Sequence, residues 1–217
     1  MAEPPTASAA SGSGTTGPGP APRRGRPPAF DRAEALAAAT RLFWQLGYEA
    51  TSVADLTAAM GIRPGSLYAA FGDKRALFEE VVRQYGLSPV GAFATVALAE
   101  EPTAYGAFAR ILREAAVVYA DPSHPAGCLV ISAATNVTPQ DAGIQERLRD
   151  QRNGNLRIFE ERLRRARQDG ELPPEADPKA LAAFFGTVLQ GMSQQARDGA
   201  TVADLARTAE LALRVWP

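Results

Sequence analysis

The sequence predicts an all-α protein with an N-terminal three-helix unit and a larger C-terminal helical unit. Beyond residue 30, apolar residues recur mainly at three- and four-residue spacing, and Asp, Ser or Thr precedes several of these stretches as a capping signal. The 217 residues, 46% of them hydrophobic, suffice for one large or two modest cores. We expect a tail over residues 1–22, a first unit over 23–72, a connecting helix over 73–86 and a second unit over 87–217.

The tail is dominated by Pro, Gly, Ser, Thr and Ala. Such a segment buries too little apolar surface to offset the entropy of ordering, so we expect residues 1–22 to be disordered. Gly12, Gly14 and Gly17 match a G-x-G-x-x-G spacing, but no predicted strand precedes them and no helix follows directly. We interpret the match as chance within a biased composition.

A basic arm, Arg23, Arg24 and Arg26, directly precedes the first helix. Such arms can lie along phosphates or enter a minor groove, whereas the bland alternative is a solvated linker. We favour contact with nucleic acid because of the unit that follows. Residues 21–86 hold nine Arg or Lys against seven Asp or Glu, an excess that permits this interpretation without establishing it.

The first long helix is expected to begin after Asp31, which is a good N-cap. Trp44 and Tyr48 fall beside its predicted inward face, so we interpret them as packing residues rather than base-stacking ones. That inward face is predicted to comprise Leu36, Thr40, Phe43, Leu46 and Gly47.

The stretch from Thr51 to Lys74 predicts two short helices joined by a tight turn. Thr51 or Ser52 can cap the first helix, and Asp55 follows at capping-box spacing. Gly61 ends that helix, and Pro64 suits the first position of the next. The pattern predicts a helix-turn-helix.

The second of these helices is too short to bury much surface, so its exposed side requires an explanation. Small residues there let a backbone approach the major groove closely, while Tyr68 reaches a phosphate or a base edge. Lys74 follows the capping residue Asp73, so we predict that the N-terminus of the next helix binds a phosphate group. The exposed side is predicted to carry Arg63, Gly65, Ser66, Tyr68 and Ala70.

This region resembles the TetR family of bacterial transcriptional regulators over roughly residues 26–85. The residues that carry the resemblance are Thr51, Ser52, Leu56, Gly61, Ile62, Ser66, Leu67, Tyr68, Phe71, Lys74 and Leu77. It implies a homodimeric repressor that binds a palindromic double-stranded operator and is released by a small-molecule effector. The sequence at 63–65 and 69–70 departs from many relatives and leaves few side chains able to read bases. The predicted DNA-binding residues are Arg23, Arg24, Arg26, Ser52, Arg63, Pro64, Gly65, Ser66, Tyr68 and Lys74.

The second unit is expected to follow a boundary at residues 86–102, within which residues 90–98 add a helical turn or two. After Pro102, a helix that is apolar nearly all round is predicted to occupy the centre of this unit. A break at residues 121–125 and a short apolar helix at 127–131 follow. Arg152 and Asn155 fall in or near the apolar arc of the next helix, and their polar groups meet either a ligand or, as we favour, protein groups or water. The predicted effector-binding residues are Tyr105, Phe108, Ile111, Leu112, Cys128, Arg152, Asn155 and Phe159.

The last two helices carry broad apolar faces behind an Asp177-Pro178 start signal. The family resemblance implies that they pair with their symmetry mates in a four-helix dimer interface. An internal core stripe is the alternative. The predicted interface residues are Leu181, Phe184, Phe185, Val188, Leu189, Met192, Leu205 and Leu213.

Other functional classes receive little support from the sequence. His124 and Cys128 are the only residues of their types, and we find no catalytic motif, phosphate loop or cofactor site, so we expect neither an enzyme nor a cofactor. No stretch approaches the roughly 20 apolar residues of a membrane span, and a reducing cytoplasm fits the single cysteine. Two alternatives remain: a helical interaction module without DNA binding, and a regulator that senses oxidants or electrophiles through Cys128.

Overall fold

The computed structural model describes residues 1–2 and 30–217, and over these residues the protein is all-α, with no strand. Most of the predicted tail (residues 3–22), the glycine pattern at 12–17 and the arm residues Arg23, Arg24 and Arg26 lie outside the described residues.

The described part of the chain forms ten α-helices and one short 3-10 turn, at Pro139–Asp141. The helices are α1 (Arg32–Leu46), α2 (Val53–Met60), α3 (Pro64–Phe71), α4 (Lys74–Leu87), α5 (Pro89–Glu100), α6 (Ala104–Tyr119), α7 (Leu129–Ser132), α8 (Ala142–Gln168), α9 (Pro178–Arg197) and α10 (Val202–Leu213).

Helix α1 begins as the sequence predicts, because the Asp31 carboxylate accepts hydrogen bonds from the amides of Ala33 and Glu34 at 2.8 and 3.1 Å. The predicted inward face is wrong at Leu46, which is 47% exposed. Leu36 and Thr40 are only half-buried, whereas Phe43 is fully buried. The face that packs inward is Ala35, Ala39, Phe43 and Trp44.

The error has a physical reason, because α1 packs closely along α2. Alanine side chains allow such an approach, whereas the periodic pattern of large apolar residues predicted a different face. The packing roles of Trp44 and Tyr48 are confirmed, since they are 4% and 2% exposed.

The predicted boundary at residues 86–102 contains more helix than the one or two turns expected there. A full helix runs from Pro89 to Glu100, and the Ser88 hydroxyl caps it by accepting from the Gly91 amide at 3.2 Å. Pro89 occupies the first helical position, which suits its fixed φ and missing N–H. Only Ala97 on this helix is fully buried, so its apolar face is too weak to read from periodicity.

The central position of α6 is confirmed, since it packs against α5, α8, α9 and α10. The start of α9 is also as predicted: Asp177 accepts from the amides of Lys179 and Ala180. Helix α10 begins with a capping box formed by Thr201 and Asp204. These end signals and the packing around α6 define the C-terminal half of the molecule.

The buried apolar residues form two clusters. The first contains the residues of α1 to α4 together with α7 and the start of α8, where Ile144 and Leu148 are fully buried. The second contains α6, the C-terminal half of α8, α9 and α10. Cys128 contacts both clusters. Because the first cluster also includes residues of α7 and α8, the two clusters do not separate at one point in the sequence. The predicted domain boundaries stay a prediction. Within residues 1–2 and 30–217, no helix combines the length and apolar character that a bilayer crossing needs.

Candidate nucleic-acid interface and ligand cavity

Helices α2 and α3 form the predicted helix-turn-helix. Ser52 and Asp55 make the capping box at the start of α2, and Gly61 adopts a left-handed φ of 64° at its end. Pro64 is the first residue of α3, and Leu67 and Phe71 are buried beneath it. The exposed side of α3 consequently faces away from the protein.

Tyr68 lies on this exposed side, with 51% of its surface accessible, whereas the adjacent Leu67 is completely buried. Arg63, Pro64 and Gly65 are exposed at the start of the helix, and Ser66 is half-buried. No side chain caps the first turn of α3. The geometry leaves a small-residue surface with one phenol projecting from it.

Gly65 is exposed in the first turn of α3. A Cβ atom built there meets nothing within 4 Å. Packing against residues 1–2 and 30–217 therefore does not require glycine at this position.

Arg32 holds α3 in place, which the sequence analysis did not predict. Its guanidinium donates to both carboxylate oxygens of Glu80, at 2.6 and 2.8 Å, and to the carbonyl of Ala70 at 3.3 Å. It also lies 4.4 Å from the centre of the Phe71 ring. Because Arg32 and Glu80 are 48 residues apart, no local pattern signals the contact. The pair fixes the C-terminal end of α3 against α1 and α4.

Ser52 is exposed, but its hydroxyl is already engaged in the capping box. It donates to Asp55 Oδ2 at 2.6 Å and accepts from the Asp55 amide at 3.1 Å. Hydrogen bonds from Ser52 lower the pKa of Asp55. Ser52 can therefore donate to an additional acceptor only by giving up this carboxylate.

Lys74 is half-buried, and its Nζ lies 4.2 Å from the centre of the Tyr48 ring. Asp73 caps the same helix by accepting from the Ala76 amide at 2.7 Å. The Tyr48 hydroxyl donates to Asp141 Oδ1 at 3.0 Å. Burial raises the pKa of Tyr48, and this hydrogen bond raises it further. Tyr48 thus connects the helix-turn-helix region to the residue that precedes α8, a link that the sequence analysis did not predict.

A cavity of about 160 Å³ lies between α5, α8 and α9, and the ends of α4 and α6 and the start of α7 complete its wall. Four of the predicted effector-binding residues line it: Cys128, Arg152, Asn155 and Phe159. The complete lining is Tyr85, Gly86, Gly91, Phe93, Ala94, Thr95, Leu98, Tyr119, Cys128, Val130, Ile131, Gln151, Arg152, Asn155, Leu156, Ile158, Phe159, Gly186, Leu189 and Gln190.

The other four predicted effector-binding residues lie outside this cavity. Phe108, Ile111 and Leu112 are fully buried in the core around α6. Tyr105 is 46% exposed and packs edge-on against Trp216, with ring centres 5.5 Å apart. Tyr119 at the end of α6 lines the cavity, but the preceding apolar residues of this helix pack in the core. The apolar stripe on α6 therefore did not predict the position of the cavity.

Cys128 has the environment of an unreactive thiol. The Tyr85 hydroxyl contacts its sulfur at 3.4 Å, and burial raises the pKa of Cys128. Because the thiolate is the reactive form, this shift disfavours reaction with oxidants or electrophiles. The alternative of sensing through Cys128 is therefore not favoured.

His124 makes local contacts. Its Nδ1 lies 3.0 Å from the carbonyl oxygen of Pro125, and its ring stacks on Trp44 with centres 4.6 Å apart. Among residues 1–2 and 30–217, no group of His, Cys, Asp and Glu side chains has the arrangement of a metal site.

The residues predicted for a dimer interface separate into two groups. Five are buried inside the single chain: Phe185, Leu189, Met192, Leu205 and Leu213. The internal-core alternative therefore accounts for these five.

The other three, Leu181, Phe184 and Val188, are half-buried at the edge of the core. Leu211 on α10 was not predicted, although it is 58% exposed. The surfaces of α9 and α10 thus keep apolar side chains that the single chain does not cover.

Models of two protein families match this chain. The model described as bacterial regulatory proteins, tetR family, matches residues 35–81, and the model described as tetracyclin repressor-like, C-terminal domain, matches residues 107–210. The chain belongs to the TetR family. The N-terminal match covers the helix-turn-helix, and the C-terminal match covers most of the cavity-lining helices.

Individual TetR-family proteins are similar to the chain over most of its length. The transcriptional repressor ComR of Escherichia coli K12 is 37% identical over 89% of this chain and 92% of its own. The repressor BdcR of the same strain is 32% identical over 87% and 90%, respectively. A cysteine mutant of the TetR-family regulator CifR, solved in complex with a 26-bp operator duplex, is 42% identical, with a TM-score of 0.85 and coverage of 89% of this chain and all of that one.

Proposed function

We propose that this TetR-family protein is a homodimeric, cytoplasmic transcriptional repressor that binds a palindromic operator and is released from it by a small molecule. The observation that carries the proposal is α3, whose exposed side presents Tyr68 and Gly65 over the buried Leu67. The similarity to CifR, solved on operator DNA, supports the same use of this surface. Two such helices in a dimer would enter major grooves about one helical turn apart.

The proposed release by a ligand requires coupling between the cavity and the helix-turn-helix. Tyr85, at the end of α4, lines the cavity, while Lys74 begins the same helix beside Tyr48. Tyr48 in turn bonds Asp141 next to α8, which supplies several cavity residues. A ligand that prefers one arrangement of α4 and α8 by about 1–3 kcal/mol would change operator affinity about 5- to 150-fold.

The function is tested by titrating the full chain with operator-length duplex DNA at several salt concentrations. A DNA-binding regulator should show a log–log slope of affinity against salt of about −0.9 for each phosphate contact. Absence of salt-dependent binding to any duplex would favour the helical interaction module instead. The predicted contacts of Arg23, Arg24 and Arg26 contribute to the expected slope.

Tyr68→Phe and Lys74→Ala are each expected to reduce operator affinity about 5- to 30-fold, corresponding to about 1–2 kcal/mol for a hydrogen bond to a charged group. The phenol of Tyr68 is exposed, so its removal leaves no buried group without a partner. The measurement is fluorescence anisotropy with labelled duplex at physiological salt.

Tyr105→Phe is the matched control, because this tyrosine is comparably exposed but lies on α6 in the C-terminal half. It should leave operator affinity unchanged. If Tyr68→Phe behaves like Tyr105→Phe, α3 does not face the phosphate backbone as proposed.

Gly65→Ala should preserve the fold but weaken operator binding. The added methyl group meets no protein atom within 4 Å, and alanine favours helix over glycine by up to about 1 kcal/mol. On DNA, the methyl group would occupy space needed for close approach, at a cost of about 1–3 kcal/mol by analogy with overpacked cores. Thermal unfolding and DNA titration of the same preparation check the two halves of this prediction. Unchanged operator affinity would show that α3 does not approach DNA closely at Gly65.

A further inference from the structure

The described residues that line the cavity include a single formally charged side chain. Of the 20 lining residues, Arg152 is the only Lys, Arg, Asp or Glu. The other ionisable groups are Tyr85, Tyr119 and Cys128, and burial raises the pKa of all three. These groups are therefore neutral near pH 7, and Arg152 provides the only charge among the described residues that line the cavity.

Arg152 also retains hydrogen-bonding capacity. Its Nη1 donates to the carbonyl of Val130 at 2.9 Å, and within the described part of the chain the side chain makes no other hydrogen bond and no ion pair. A guanidinium has five N–H donors in a planar fork that matches a carboxylate. Burial lowers the pKa of Arg152, which indicates that its surroundings do not compensate the charge. A bound anion would supply that compensation.

The remaining lining limits the size and shape of such an anion. Phe93, Leu98, Leu156, Phe159 and Leu189 provide apolar walls. An engineered apolar cavity of about 150 Å³ binds benzene, so this cavity of about 160 Å³ has room for an apolar body of about that size. A single guanidinium balances one negative charge, which favours a monocarboxylate over a dianionic phosphate ester.

We propose that the cavity binds a small amphipathic monocarboxylate, whose carboxylate accepts two hydrogen bonds from Arg152 and whose apolar body lies between α5, α8 and α9. This proposal rests on the proposed ligand-responsive function, because it assigns the chemical class of the effector. Asn155, Gln151 and Gln190 also line the cavity and offer amide groups to polar substituents of the ligand.

The test uses the full-length protein without DNA and three carboxylates with apolar bodies of suitable size: benzoate, phenylacetate and hexanoate. Each is compared by isothermal titration calorimetry with its primary amide, which has nearly the same shape but no charge. At least one carboxylate should bind about tenfold or more tightly than its amide, since a charge-assisted hydrogen-bonded pair contributes more than a neutral one. The proposal is overturned if no carboxylate is preferred over its amide.

Variants of two neighbouring arginines on α8 show whether the preference arises from Arg152. Arg152→Gln should reduce the ratio of carboxylate to amide affinity to near unity, and Arg152→Lys should retain part of it. Arg149→Gln is the control, because Arg149 has a 56% exposed side chain and pairs with Asp150 outside the cavity. Because its charge acts on Arg152 only through space and lowers the pKa of that guanidinium, this variant should retain most of the ratio. A preserved ratio in Arg152→Gln would contradict the proposal, and thermal unfolding of each variant verifies that it is folded.

A parallel operator titration separates this inference from the proposed function. If the protein binds operator DNA but shows no carboxylate preference, only the effector class is wrong. If it binds carboxylates through Arg152 but shows no salt-dependent DNA binding, the repressor function is wrong while the site stands. In the expected case, the preferred carboxylate also changes operator affinity, and Arg152→Gln abolishes that change.

Discussion

Leu211→Glu should convert the proposed dimer to monomers and lower operator affinity by about 10²–10⁴-fold, because the second half-site would no longer bind with the effective concentration of a linked partner. Leu211 is 58% exposed on α10, so the single chain leaves much of it uncovered. A glutamate there would bring two like charges together across a two-fold axis and strip them of water. Sedimentation velocity at micromolar concentration measures the assembly, and anisotropy with the full palindrome measures the loss of affinity.

Val117→Glu is the matched control for this variant. Val117 is 57% exposed, almost the same as Leu211, but lies on α6 rather than on the helices proposed to pair. It should remain a dimer with unchanged operator affinity. A monomeric unaltered protein would end the dimer proposal, and a dimeric Leu211→Glu protein would show that α10 does not form its interface at this position.

Phe184 and Val188 offer a second test of the α9 surface, but each is half-buried against the core. Charged residues at these positions are expected to give monomers or misfolded protein. Leu211 separates the two effects better because a charged side chain there can remain in water in the monomer.

The helix-turn-helix was predictable because its signals are local. A capping residue, a glycine with positive φ and a proline at the first helical position each act within a few residues of their place in the sequence. The same holds for the starts of α1 and α9. Side-chain contacts across the fold leave no such record, so the Arg32–Glu80 pair and the Tyr48–Asp141 bond required the structure.

The cavity was only partly predictable for a different reason. Arg152 was identifiable because a charged residue on an apolar arc requires a partner, whether a ligand or a protein group. The walls contributed by α5 were missed because the alanines and the single glycine on that helix give a weak periodic signal. In contrast, the strong stripe on α6 belongs to the core. A strong apolar stripe therefore locates the centre of a helical domain more reliably than it locates a cavity.

The apolar stripe on α9 illustrates how two uses of one helix overlap. Phe185, Leu189 and Met192 are buried in the hydrophobic core, while Phe184 and Val188 are half-buried at the edge of that core. Residues at i, i+3 and i+4 can include both sides of so broad a face. The sequence pattern alone cannot assign them to the protomer core or to a partner.

Gly127→Ala is expected to destabilise the protein by about 2–5 kcal/mol, combining about 1–2 kcal/mol for a left-handed φ and about 1–3 kcal/mol for overpacking. The φ angle of Gly127 is +79°, a region that alanine rarely adopts. A Cβ atom there would lie 2.6 Å from the carbonyl oxygen of Ser193 and 2.8 Å from its hydroxyl. The Ser193 hydroxyl accepts a hydrogen bond from the Cys128 amide at 2.9 Å. Relieving the clash would therefore also disturb this bond, which connects the residue preceding α7 to α9.

Gly170→Ala isolates the conformational part of this cost. Its φ of +81° is nearly the same as that of Gly127, but a Cβ atom there meets nothing within 4 Å. It should destabilise the protein by only about 1–2 kcal/mol, so the difference between the variants measures the contact with Ser193. Denaturant unfolding at one fixed protomer concentration provides the comparison, because the stability of an oligomer depends on concentration. Equal destabilisation by the two substitutions would mean that α9 can move away from residue 127 at little cost, and that Gly127 is required there only for its backbone conformation.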